Sequence, residues 1–132
     1  MEFPQDLRYT EEHEWVRRED DEVVFGITDF AQDQLGDIVY VELPEVGATL
    51  TQGEPFGSVE AVKALEYLYS PVSGEVIAVN EGLNDDPAVV NSSPYGDGWM
   101  VRARVSDPGE LENLLDAAGY QKLVAGLGGE AE

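Results

Sequence analysis

The sequence predicts a β-dominated α+β domain whose core is a sandwich or partly open barrel. Three observations lead there: six or more short runs favour strands, Gly- and Pro-containing turn clusters separate them, and the few capped helical stretches lie at the periphery. With 132 residues and ordinary apolar content one core suffices, so residues 1–132 are expected to form a single domain. Its β core should span about 22–105, with a C-terminal helical segment over about 107–126.

Residues 7–18, LRYTEEHEWVRR, open irregularly and end in a Trp15-Val16 pair that reads as a short strand. In 22–28, EVVFGIT, alternation places Val24 and Gly26 on one face and Val23, Phe25 and Ile27 on the other. Thr28 or Asp29 caps a helix, Gln32 completes a capping-box pair with Asp29, and Phe30, Ala31 and Leu35 share an apolar side. Gly36 is its C-terminal stop. A period of two returns over 37–43, DIVYVEL, and Pro44 and Gly47 end that strand. A short segment at Thr49-Leu50 leads into the Gln52-Gly53 turn.

Two β-like runs, 57–62 and 65–69, then flank Lys63. After the turn cluster 70–74, EVIAV at 75–79 is the next strand, and Gly74 is expected to hold a positive φ that Val would damage. Asp86 and Pro87 open one helical turn within 84–91, and 99–105, WMVRARV, is the last strand. Asp107 and Pro108 begin a helix with a Leu111, Leu114 and Leu115 stripe. Gly119 stops it, Tyr120–Ala125 add a further turn or two, and the tail from Gly126 should fray. GDIVYVE at 36–42 echoes GEVIAVN at 74–80, which suggests two similar half-units on either side of Lys63.

The charge bounds the partners. The chain carries 28 acidic against 7 basic residues, a formal net charge of −21, which argues against nucleic acid or an anionic membrane and favours cationic partners. Acids spread along the chain with lysine nearly absent suggest adaptation to high salt. No apolar run reaches transmembrane length, and the start MEFPQDLRYT reads as a cytoplasmic terminus. Absence of cysteine excludes disulfides, thiolate metal sites and a Cys nucleophile.

An autonomous enzyme is hard to assemble from these residues. His13 is the single histidine and lacks the second one of a zinc-binding helix; no metal ligands, phosphate loop or G-x-S-x-G turn can be picked out. Asn91-Ser92-Ser93 matches a glycosylation sequon but reads as an ordinary polar loop. Lys63 differs. It is one of two lysines, and the other, Lys122, has a helix-dipole explanation near a helix C-terminus. Turn chemistry points the other way, because Glu60-Ala61-Val62-Lys63-Ala64 contains no Gly, Pro, Asn or Asp and reads as continuous strand.

The segment GSVEAVKALEYLYSPVSGEVIAVNEGLNDDPAVVNSSPYGDGWM, with YTEEHEWV and GITDFAQDQLGDIVYVELPEVG upstream, closely resembles the H proteins of the glycine cleavage system from about Arg8 to the C-terminal helix. The resemblance implies a lipoyl/biotinyl-carrier-like hybrid barrel-sandwich of two β-sheets with N- and C-terminal helical additions, and a monomeric, cytoplasmic carrier that is not itself an enzyme. It implies that Lys63 bears lipoate in amide linkage. The arm would take the aminomethyl group of glycine from a pyridoxal-phosphate glycine decarboxylase (P protein) to the aminomethyltransferase (T protein), and present the dithiol to dihydrolipoamide dehydrogenase (L protein).

By the same resemblance Glu60, Val62 and Ala64 form the recognition context for the lipoate-attaching enzyme, and His13 and Glu14 stand where a cleft holds the loaded arm. Glu12 and Tyr67 depart from the residues common there, and Val62 and Ala64 replace the methionines that would flank a biotinyl lysine. Two alternatives stay open: a relay donating lipoate to 2-oxoacid dehydrogenase complexes, and an unmodified acidic adaptor with the carrier fold.

Overall fold

A computed structural model describes residues 2–127. They form two antiparallel sheets facing each other as an open sandwich, one of six strands ordered β1-β2-β3-β9-β8-β5 and one of three ordered β4-β6-β7. The strands are β1 (Arg8–Tyr9), β2 (Glu14–Glu19), β3 (Glu22–Ile27), β4 (Ile38–Glu42), β5 (Thr49–Leu50), β6 (Pro55–Ala61), β7 (Leu65–Tyr69), β8 (Gly74–Val79) and β9 (Val101–Val105). The helices are α1 (Asp29–Leu35), α2 (Gly82–Asp85), α3 (Val89–Ser92) and α4 (Ala117–Gly126), with a 3-10 helix over Pro108–Asn113.

The alternation along β3 organises both cores. Val23, Phe25 and Ile27 point between the sheets, where they meet Ile38, Val41, Phe56, Val59 and Leu68 of the smaller sheet. Burying side chains of this size stabilises by about 2–3 kcal/mol each. The opposite face of β3 is buried as well. Val24 joins Tyr9, Trp15 and Phe30 beneath Ala117, Tyr120 and Val124 of α4, and Gly26, paired with Trp15, leaves room for the indole. The N-terminal addition therefore enters as strands, β1 and β2, and the C-terminal one as the helical cover of a second core.

Several local signals are present. Thr28 is the N-cap of α1, accepting from the Ala31 N–H, and Gly36 ends that helix at φ 79°. Gln32 donates to the Asp29 carboxylate at 2.7 Å, a side-chain pair rather than the reciprocal backbone bond of a capping box. The two echo segments lie in opposite sheets, β4 and β8.

Four expectations about the helices are corrected. Asp86 ends α2 instead of opening a helix, and α3 follows after Pro87. The helix after Asp107 is a 3-10 helix that stops at Asn113, because Leu115 is drawn into a backbone bridge with Tyr9, both bonds 2.8 Å. Asp116 then caps a new helix by accepting from the Gly119 N–H, so Gly119 sits in its first turn and stops nothing. Lys122 lies outside the last turn of α4, so the helix dipole does not explain it. Gly126, from which the tail was expected to fray, still belongs to α4, and the tail beyond Leu127 lies outside the described residues.

Among the described residues the ion pairs are Arg17–Glu19, Arg102–Glu19, Arg102–Glu22 and Arg104–Glu75, and all lie on the six-stranded sheet. The other carboxylates make no ion pair among the described residues, and with a formal net charge of −21 they repel one another. The melting temperature should therefore rise between about 0.01 M and about 1 M KCl, as the Debye length falls from roughly 30 to 3 Å. A salt-independent transition would show that self-repulsion does not limit stability.

Candidate functional site

Lys63 stands exposed at the apex of the β6–β7 hairpin, flanked by exposed Val62 and Ala64. The hairpin closes through Ala61 N–H to Ala64 O at 2.7 Å and the weaker reverse bond at 3.4 Å. Neither Val62 nor Lys63 adopts a positive φ, so no Gly or Asn is required. An external tie replaces turn chemistry: the Val62 N–H donates to Asp37 O, 3.1 Å away at the head of β4. Glu60 lies just below, exposed, between Tyr40 and Leu65 in the register. The Lys63 ammonium has no hydrogen bond or ion pair among the described residues, and its stem passes Gly36, where a Cβ would lie 3.6 Å from Lys63 Cε.

Beside the hairpin runs a groove of about 410 Å³ between the free edge of β7, the start of β2 and α1. Its floor is apolar, from Ile27, Phe30, Ala31, Leu35 and Leu68, while Glu12, His13, Glu66 and Tyr67 stand at its rim. An apolar trough with carboxylates at the edge suits a flexible hydrocarbon arm with a polar or cationic end.

His13 is held in this wall at φ 72°, its Nδ1 2.9 Å from the Tyr120 hydroxyl, which lies 2.7 Å from Thr28 Oγ1. Burial holds the imidazole below its ordinary pKa, with the Glu12 charge acting the other way, so the ring is neutral at pH 7. The pair Tyr120 and Thr28 thus couples α4 to the cap of α1, a link that sequence reading missed because it spans 92 residues.

Glu14 is placed differently from His13. It faces a second cleft with Tyr9, Gln52 and Tyr69, is 1 % exposed, and both carboxylate oxygens are engaged. Thr10 Oγ1 donates to one at 2.6 Å and the Tyr69 N–H to the other at 3.3 Å. Burial pushes its carboxyl up to about 8 despite those two bonds, with a small further push from Glu12. A folded-state value above the unfolded one means that folding takes up a proton, so the carboxyl weakens the fold progressively as pH rises from about 4.5 through about 8. Glu14→Gln should remove that slope. Its unfolding free energy relative to the parent should improve from about pH 5 to about pH 9 by no more than about 1.4 kcal/mol per pH unit. A difference independent of pH would refute this.

Asn91 was not singled out by sequence beyond its sequon, yet it stands half-buried behind the hairpin. It donates to Gly36 O at 2.8 Å and Gln32 Oε1 at 3.0 Å and accepts from the Ile38 N–H at 2.9 Å.

A family model described as glycine cleavage H-protein matches residues 7–126. A glycine cleavage system H protein of Bacillus cytotoxicus is 60% identical over 123 residues, covering 93% of this chain and 97% of the relative. One of Anoxybacillus flavithermus is 59% identical over 124 residues, covering 94% and 98%. Among solved structures, a glycine cleavage system H protein from Mycobacterium marinum superposes with a TM-score of 0.84 at 37% identity, covering 95% of this chain and 98% of that one.

Proposed function

The chain belongs to the glycine cleavage H-protein family, and on that premise we propose that Lys63 is the residue on which it carries lipoate. It is a lipoyl carrier of the glycine cleavage system and not itself a catalyst. The observation that carries the assignment of Lys63 is its exposed, unpaired ammonium at a hairpin apex beside an apolar groove. Lys122, the other lysine, lies within α4 and not at a hairpin apex.

The fold fits the group. Lys63 offers a primary amine that an amide bond neutralises, and the trough of Ile27, Phe30, Ala31 and Leu68 fits an eight-carbon chain. Lipoate supplies, when attached, a disulfide that accepts the aminomethyl unit of glycine. Lys63 tethers it, which raises its local concentration at each docked enzyme. The groove shelters the arm between encounters, with His13 at its rim as a neutral hydrogen-bonding group. Glu14 stands one residue further on, in the adjoining cleft, where it braces the segment that carries His13.

The partners follow from the same reading. Glycine decarboxylase loads the carrier, the aminomethyltransferase unloads it and dihydrolipoamide dehydrogenase reoxidises it. Glu60, Val62 and Ala64, all exposed around the apex, present the lysine to the lipoate-attaching enzyme. No helix among the described residues is long and apolar enough to cross a membrane. The test is the intact mass of the protein isolated from lipoate-replete native cells, with peptide mapping. A lipoyl or octanoyl adduct on Lys63 is expected; an unmodified Lys63 would leave the adaptor reading standing.

A further inference from the structure

We propose that Asn91 is a positioning residue for the modification of Lys63, acting through the corner between α1 and β4. The inference rests on Lys63 being the attachment point. Three consecutive residues, Gly36, Asp37 and Ile38, form that corner, and each has a backbone group in one connected set of bonds. The Asn91 amide nitrogen donates to Gly36 O and its carbonyl oxygen accepts from the Ile38 N–H, so the side chain clasps the corner from both ends. The two backbone groups fix the orientation of the amide, because a flipped Asn91 would set a donor against the Ile38 N–H and an acceptor against Gly36 O. Between them, Asp37 O accepts from the Val62 N–H, which anchors the hairpin apex.

The clasp is itself held. Asn91 belongs to α3, whose Val90 is fully buried in the core between the sheets. Its second donation, to Gln32 Oε1, reaches α1, where the Gln32 amide donates onward to Asp29. The same corner borders the lysine stem, since a Cβ built at Gly36 would lie 3.6 Å from Lys63 Cε. The apex contains no turn-forming residue, so beyond the two Ala61–Ala64 bonds its geometry draws on the tie to Asp37, and that tie draws on where Asn91 holds the corner.

Attachment joins Lys63 Nζ to the carboxyl carbon of lipoate, presented as its acyl adenylate; AMP leaves and the amine gives up a proton. An apex already set in one geometry is bound without the entropy of ordering it. In Asn91→Ala the ordering falls on the encounter. The KM of the apo-protein in attachment, assayed with lipoic acid, ATP and a lipoate-attaching enzyme, should rise about tenfold with kcat within about twofold. Amide hydrogen exchange at Val62 should accelerate more than at the core amides of β3 and β9.

Ser73→Ala, which removes a bond to Glu110 at the other end of the sandwich, supplies a destabilised control whose KM and Val62 exchange should stay at parental values. If Asn91→Ala does not fold, Asn91→Asp, which keeps the acceptor for Ile38 and loses both donations, should show the same two changes. A parental KM with parental relative protection at Val62, in a variant whose parent is modified on Lys63, would overturn the positioning role. An unmodified parent would overturn the attachment assignment instead.

Discussion

Lys63→Arg is expected to fold as the parent does and to reduce glycine-dependent CO₂ exchange to background. Lys63 makes no hydrogen bond or ion pair among the described residues, and its side chain is exposed, so arginine disturbs nothing that holds the hairpin. Stability should stay within about 0.5 kcal/mol, as for other surface exchanges. Function is a different matter. A guanidinium stays protonated far above neutral pH and offers no free amine to acylate, so the charge is kept and the attachment chemistry is lost. The measurement pairs intact mass with the exchange reaction in the presence of glycine decarboxylase. Lys122 remains as an internal control, exposed on α4. Exchange retained in Lys63→Arg would end the carrier mechanism at this residue, and an adduct on Lys122 would relocate it.

How much of this was legible in the sequence depends on how far each feature reaches along the chain. The cap at Thr28, the stop at Gly36 and the Asp107-Pro108 start involve neighbours within four residues, and all three are present. The break at Asn113 is invisible locally, since the bridge that causes it joins Leu115 to Tyr9. The Lys63 hairpin is a sharper case. Residues 60–64 read as continuous strand because no turn-forming residue marks the Ala61–Ala64 closure and its external tie runs from Val62 to the distant Asp37, and only resemblance to a known family marked the turn. The groove draws on Glu12, Phe30 and Tyr67, and no periodicity connects such distant segments. Asn91 passed for loop polarity because its partners lie 53 to 59 residues away.

Gly74 shows a position found for one reason and required for another. A positive φ was expected there, but such values occur at Gly36, Gly47 and Gly53, and Gly74 lies in ordinary extended backbone within β8. What excludes a side chain is proximity. Gly74 pairs with Val105 on one side and Leu50 on the other, and a Cβ would overlap the carbonyl oxygen of Arg104 and lie 3.0 Å from its carbonyl carbon.

That oxygen belongs to the β9 backbone, which is also paired with β3, so relief would require breaking the ladder through the centre of the larger sheet. Gly74→Ala should therefore cost more than the roughly 1–3 kcal/mol of ordinary overpacking. Gly74→Val, bulkier still, should consume most of a typical stability of about 5–15 kcal/mol and yield little folded protein. Gly47→Ala is the matched contrast, because Gly47 has φ 94° but nothing within 4 Å of a new Cβ, so only backbone strain of about 1 kcal/mol is expected. Denaturant midpoints of the two alanine variants separate the causes: equal losses would mean that strain, not the approach of β9, decides the position.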